Sequence, residues 1–375
     1  MYRVVSQSFV NNLDREPQND MLKVKQNLDR LLTKEETLDF ASIQSASSSI
    51  YGYQDGPDST GSGSFVNLNG DLTKGYFLTA AHCVMKPNEY ALVDSLYITN
   101  PITNKWFSVT MTDVFIDGLA DVALIQTNID FTAYPHFCLP FSTVEAKTGD
   151  VCYVCGNPGG IDNDSVTRGI VRDGHFTLTS GSYVPDAIHI DSPGISGNSG
   201  SPIMNKNGQI IGLFTFGFNL ENFNGGPNLN TLRESLKVLI TRQDYKSKKY
   251  LGFDWYAYSP NTLRHYHNSD SEFPNQGVII RNMDTNSPFH NTSITNNDLI
   301  LSFTINGKKM EVGVLPHQRT LGLLVYSTSD TTTVEYIKFE YPNQDPTVRK
   351  ETISLNVTYE NVDSRHDLVL KGGTN

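Results

Sequence analysis

Three residues able to carry out acyl transfer together stand far apart in this chain: His82, Asp121 and Ser199. Ser199 lies in Gly194-Ile-Ser-Gly-Asn-Ser-Gly-Ser-Pro202. A serine hydroxyl is a weak nucleophile until a base takes its proton, and the oxyanion formed on attack needs N–H donors already aimed at it. Small residues allow that. Gly197 can take a conformation closed to residues with a Cβ and turn its N–H beside that of Ser199, which makes Gly197, Asn198 and Ser199 the expected oxyanion hole. Gly200 is expected to leave room for substrate. A Gly/Asn/Ser loop alone is also what an ordinary turn looks like. The base and the acid change that reading. His82 closes Leu78-Thr-Ala-Ala-His82 after the apolar Gly75-Tyr-Phe-Leu, and Asp121 opens Asp121-Val-Ala-Leu-Ile125. An imidazole to take the proton, a carboxylate to orient it and a hydroxyl to attack form a catalytic triad in the order His, Asp, Ser.

The elements that must position these groups read as strands. From Ser45 to about Phe218, short runs rich in Val, Ile, Tyr, Phe and Thr alternate with Gly, Asn, Asp and Pro, for example Ile50-Tyr-Gly-Tyr, Phe107-Ser-Val-Thr-Met, Val151-Cys-Tyr-Val and Gln209-Ile-Ile-Gly-Leu-Phe. About a dozen such strands suit a pair of closed β-barrels, with the triad in the cleft between them. Before them, residues 1–44 form an extension in which Leu22, Leu28, Leu31, Leu32 and Leu38 suggest an amphipathic helix over Met21 to Phe40. After them, Asn222 to Asn230 reads as a Gly/Asn/Pro linker, followed by a helix through Leu229, Leu232, Leu236, Leu239 and Ile240.

A chain of 375 residues, 38% hydrophobic, is long enough for two domains. Its net charge of −11 argues against nucleic acid or an anionic membrane as the main partner, because no basic stripe exists to neutralise phosphates. No signal-like h-region opens the sequence and no apolar run spans a bilayer. Four cysteines are few for a secreted protein of this size, so an intracellular, cytoplasmic setting is expected. Cys152-Tyr-Val-Cys155 has metal-site spacing but no second pair, and reads as core packing. No metal or organic cofactor is expected, because a triad needs none.

The three segments together resemble the trypsin-like serine proteases of chymotrypsin fold, and most closely the HtrA/Deg branch. Gly61-Ser-Gly-Ser-Phe65, Gly156-Asn-Pro-Gly-Gly160, Val166-Thr-Arg-Gly-Ile-Val171 and Asn207-Gly-Gln-Ile-Ile-Gly212 are similar to segments of that branch. Two features depart from it: the His motif ends in Cys83, as in digestive-type enzymes, and Ser201 stands where glycine is usual. The resemblance implies two six-stranded barrels and peptide hydrolysis. It also places the substrate pocket at Pro193, Ile195 and Phe214-Thr215-Phe216-Gly217. With Pro193 where trypsin has an aspartate, it implies a small or medium apolar P1 residue. Tyr250-Leu-Gly-Phe253, Gly277-Val-Ile-Ile280, Asn286-Ser-Pro288 and Asn297 to Gly307 resemble the PDZ domain of the same proteins, with Leu251, Gly252 and Phe253 binding a peptide carboxylate and a groove helix within Leu315 to Leu324.

The expected organisation is thus mainly β: an extension (1–44), a protease domain (45–225), a linker and helix (226–248), a smaller α/β PDZ-like domain (249–360) and a tail (361–375). Expected partners are protein or peptide substrates and, by resemblance, two further copies in a homo-trimer. Two other readings fit the same residues: a peptide-docking scaffold that does not cleave, or a maturation protease of a viral assembly, which would be virion-associated.

Overall fold

A computed structural model describes residues 44, 47–53, 57–86, 91–160, 165–178, 184–218, 223–245, 247–249, 251–258, 276–313, 315–327, 329, 331–338, 352–358 and 361–363. All of them fall within one compact unit, Phe40–Asn375. The helix expected over Met21 to Phe40 lies outside the described residues.

The first sheet contains β1 (Ser47–Tyr53), β2 (Pro57–Leu68), β3 (Asp71–Thr79), β4 (Ser95–Asn100), β5 (Lys105–Ser108), β6 (Val114–Asp117) and β7 (Val122–Thr127), in the spatial order β5-β4-β1-β2-β3-β7-β6. The second contains β8 (Val151–Gly156), β9 (Ser165–Leu178), β10 (Val184–Ile190), β11 (Pro202–Met204), β12 (Ile210–Leu213), β13 (Phe216–Phe218) and β14 (Phe223–Pro227), in the order β12-β11-β8-β9-β10-β14-β13. In each sheet the two edge strands are consecutive in the chain. Val109 N donates to Leu96 O on one edge of the first sheet, and five residues later Val114 pairs with Ile125 on the other. Phe214 N donates to Ser201 O, and Thr215 N to Gly225 O, across the second. Each edge pair is therefore one bent strand that curls its sheet toward closure. Six strands were expected per barrel; seven segments appear because the bend divides one of them.

Helix α1 (Leu229–Leu239) begins where Asn228 Oδ1 accepts from the N–H groups of Asn230 and Thr231, both at 3.1 Å. Its buried Leu229, Leu232, Leu236 and Leu239 follow the expected spacing. The helix packs against β6 and β7 of the first sheet and β10 and β12 of the second. The stretch read as a linker is different. Phe223–Pro227 is strand β14, and its glycines are needed because a Cβ on Gly225 or Gly226 would collide with the carbonyls of Ile188 or Leu213.

A third sheet follows: β16 (Asp254–Ala257), β17 (Val278–Arg281), β18 (Leu299–Ile305), β20 (Thr331–Ile337) and β21 (Thr352–Thr358), with β19 (Lys308–Glu311) paired to β18. Helix α2 (His317–Val325) packs on β9 and β10. Two short strands, β15 (Ser247–Lys249) and β22 (Asn361–Asp363), pair with each other, so part of the expected tail returns to the expected linker. No helix among the described residues is long and apolar enough to cross a membrane.

Candidate active site

The pairing of β3 with β7 brings the first two groups together. Thr79 faces Ala123 in that register, so the short turn Ala81–Cys83 that follows β3 meets the residues that precede β7. Asp121 grips His82 twice: Oδ2 lies 2.6 Å from ring Nδ1, and Oδ1 accepts from the backbone N–H at 2.9 Å. It does so from a φ of 56°, a left-handed conformation that aspartate tolerates better than most residues. Asp121 is buried, whereas the imidazole side chain keeps 40% of its surface exposed. Partial burial pushes the ring pKa down. The Asp121 carboxylate, helped by the Cys83 thiol, more than reverses this and holds it well above 6.5. The Nδ1 contact leaves Nε2 as the nitrogen available to a nucleophile.

Ser199 belongs to the loop between β10 and β11, and its backbone is fastened to the first sheet. Ser62 N donates to Ser199 O at 2.8 Å, and Cys83 Sγ approaches the same oxygen at 3.6 Å. The serine thus sits beside the residue that follows His82. Its hydroxyl makes no hydrogen bond to the imidazole in this structure, a gap that free enzymes often close only when substrate binds. Gly197 and Gly200 both take positive φ, 96° and 86°. A Cβ on Gly200 would collide with Ser62 O and Thr79 Oγ1, so this glycine permits close approach of the loop to the first sheet. That replaces the expected role of leaving room for substrate.

Of the three expected oxyanion donors, two are free to act. Asn198 N donates within the loop to Ile195 O at 3.1 Å, closing the turn. The N–H groups of Gly197 and Ser199 have no partner among the described residues.

The expected pocket residues divide. Pro193 and Ile195 are exposed, Ile195 at 64%, while Phe214 and Thr215 are buried and Phe216-Gly217 runs along the edge strand β13. Sequence reasoning missed Asn224 on β14. Its Nδ2 donates to Ser192 O at 2.7 Å, and its Oδ1 lies where a Cβ on Gly217 would go. The Phe214 ring lies in the same way against Gly194. The space between the two segments is therefore narrowed by one ring and one amide. The signal was hidden in Phe223-Asn-Gly-Gly-Pro227, whose composition is that of a linker.

All four cysteines are free and buried, and burial pushes the thiols of Cys138 and Cys152 up to about 12. At Leu251-Gly252-Phe253, Gly252 has a φ of 64°. Leu251 O and Gly252 O accept from Ser287 Oγ (2.6 Å) and Asp284 N (2.7 Å). The three N–H groups have no partner among the described residues, and the strand that follows, β16, pairs only with β17 among them.

Comparison with known proteins gives relatives of the same fold. The family described as "Trypsin-like peptidase domain" matches residues 61–213. The serine protease Do-like HtrA of Bacillus subtilis is 25% identical over 284 residues, 72% of this chain and 60% of its own length. Serine protease HTRA4 of Mus musculus is 29% identical over 265 residues, 68% of this chain and 50% of its own. The chain thus spans 50–60% of the length of these relatives. Among solved structures, the HtrA-type protease AlgW with tripeptide superposes with a TM-score of 0.58 at 17% identity, covering 86% of this chain and 97% of that one. The serine endoprotease from Yersinia pestis does so at 0.53 and 17%, covering 88% and 100%.

Proposed function

We propose that this chain, an HtrA/Deg-like protein with a trypsin-like peptidase domain, is a serine endopeptidase that cleaves protein substrates through an acyl-enzyme. The observation that carries the reading is the two-point grip of Asp121 on His82, with the nucleophile loop fastened beside it. In the proposed mechanism His82 takes the proton from Ser199 and returns it to the leaving amine. Asp121 fixes the tautomer and stabilises the imidazolium, and Gly197 and Ser199 donate to the oxyanion. Nothing in these roles calls for a cofactor. Labelling of the wild type by a fluorophosphonate, abolished in Ser199→Ala, together with cleavage of unfolded casein by the wild type alone, would support it. Equal behaviour of the two proteins would leave only a peptide-docking scaffold.

The narrowing of the pocket by Phe214 and Asn224 supports a small or medium apolar P1 residue. A P1 library on an otherwise constant peptide tests this, and a preference for Lys, Arg or Phe would reject it. The third sheet is read as a peptide-binding module. A chain end would extend β16 while its carboxylate took the N–H groups of Leu251, Gly252 and Phe253. Amidating the peptide's C-terminus should then abolish binding. The homo-trimer implied by resemblance is tested by light scattering.

A further inference from the structure

The direction of the Gly197 N–H is set by the peptide planes on either side of it. In the Ser196–Gly197 plane the carbonyl and the N–H point opposite ways, and Ser196 O is held by Gly159 N at 2.7 Å, outside the loop. In the next plane, Gly197 O is held by Ser62 Oγ at 2.7 Å. The orientation of that hydroxyl is fixed, because Asn157 N donates to the same oxygen at 2.7 Å, so its single proton goes to Gly197 O. Ser62 is fully buried, and its main chain is also engaged: its N–H donates to Ser199 O at 2.8 Å, and its carbonyl accepts from Thr79 Oγ1 at 2.7 Å. One side chain of the first sheet therefore joins the Asn157-Pro-Gly-Gly160 segment to the residue that supplies an oxyanion donor.

We propose that Ser62 is a positioning residue for the oxyanion hole, its hydroxyl bracing the plane that carries the Gly197 N–H from both sides: it holds Gly197 O directly, and through Asn157 N it anchors the segment whose Gly159 N holds Ser196 O. This rests on the serine-endopeptidase reading. Glycine at a φ of 96° turns over at little steric cost, so the direction of its N–H depends on what holds Ser196 O on one side and Gly197 O on the other. Without the hydroxyl, both Gly197 O and Asn157 N lose their partner in a buried place. A shift of the loop and of the Asn157–Gly160 segment to satisfy them would loosen the hold of Gly159 N on Ser196 O and tilt the Gly197 N–H away from the developing charge. Substrate binding through β13 and the pocket does not involve this bond. The loss therefore falls on the transition state rather than on the ground state.

The experiment compares wild type, Ser62→Ala, Ser62→Cys and Ser47→Ala. Ser47→Ala is the control, since Ser47 Oγ also makes a buried bond between the two sheets, to Cys155 O at 3.2 Å, away from the loop. For Ser62→Ala the expected result is a fall in kcat of roughly tenfold to a hundredfold with KM changed by less than about threefold. Affinity for a peptide boronate, which places an oxygen in the hole, should fall by the same factor as kcat/KM, while affinity for an uncleavable peptide is kept. Ser62→Cys, a weak donor of similar size, should lie between, and is read in place of Ser62→Ala if that variant does not fold. The proposal is overturned if Ser62→Ala, or Ser62→Cys in its place, matches Ser47→Ala in kcat. It is equally overturned if boronate and uncleavable peptide weaken alike. A wild type that neither labels nor cleaves would defeat the endopeptidase reading itself, a result distinct from either.

Discussion

The first and second sheets hold their chemical groups by different means. In the first, Phe65, Phe77 and Phe131 pack ring against ring, with centroids 5.1 and 4.8 Å apart, and Leu96, Ile98 and Ile116 fill the same core. What that sheet contributes is a pair of side chains, His82 and Asp121, in direct contact. The core of the second is aliphatic, built on Val154, Ile188, Ile190, Ile203 and Ile211 with Phe214. It contributes a hydroxyl on a turn and two backbone N–H groups, placed by glycines at positive φ. A packed core can fix a side chain from beneath. A turn must be braced from outside, and here the braces come from both halves: Ser62 and Cys83 on the first, Gly159 and Phe214 on the second.

The largest effects break one contribution from each side. Ser199→Ala removes the nucleophile, and kcat should fall by roughly a millionfold, leaving only what the hole and substrate binding supply. Asp121→Asn should cost roughly ten thousandfold, because the imidazole loses its tautomer restraint and the stabilisation of its charged form. The two also differ in pH dependence. A protonated His82 cannot accept the serine proton, so kcat/KM in the wild type should rise with pH through a midpoint above 6.5. In Asp121→Asn the burial that pushes the ring down remains and the carboxylate that does most to raise it is gone, so the residual activity should have its midpoint lower than the wild type's. A wild-type midpoint at or below 6.5 would contradict the grip of Asp121 on His82.

Much of this was legible in the sequence where one residue type does one job. The contact of His82 with Asp121 was legible because acyl transfer pairs an imidazole with a carboxylate, and α1 because leucines at helical spacing face one side. What was not legible depends on backbone approach. Gly225 and Gly226 read as linker because their reason, the carbonyls of Ile188 and Leu213, lies 37 and 13 residues away in the chain. Gly200 was given to substrate when Ser62 O and Thr79 Oγ1 require it. Asn198 was counted as a third donor although the turn consumes its N–H. Ser62 could have been suspected only from the Gly-Ser-Gly that carries it, which says small but not why a hydroxyl.

Two glycines sharpen the comparison at intermediate cost. Gly70, in the turn between β2 and β3, has a φ of 78°, and a Cβ there would meet nothing within 4 Å. Gly70→Ala should therefore cost only the conformational strain, about 1 kcal/mol. Gly200→Ala adds collisions with backbone and should cost more than about 3 kcal/mol. Urea midpoints separate the two, and equal midpoints would mean that the nucleophile loop is not packed on the first sheet as described.

The smallest expected effect concerns a contact between the end of α2, the helix packed on the second sheet, and the first sheet. Tyr326, at the end of α2, donates to Asp117 Oδ2 at 3.2 Å, and Ser235 of α1 donates to the same oxygen at 2.5 Å. Asp117 is fully buried at the end of β6, and its other oxygen accepts from Ala120 N, the residue before Asp121. Burial and the neighbouring carboxylate hold the Tyr326 phenol well above 10, so it remains a donor throughout the working range. Tyr326→Phe takes one of these donors from a buried carboxylate while keeping the ring's packing against Tyr245, and should cost about 1–2 kcal/mol of stability. Because Ser235 and Ala120 N still hold Asp117, kcat should change less than about threefold. A melting temperature unchanged from wild type would mean that α2 does not depend on this bond, and a large loss of kcat would mean that the Asp121 turn does.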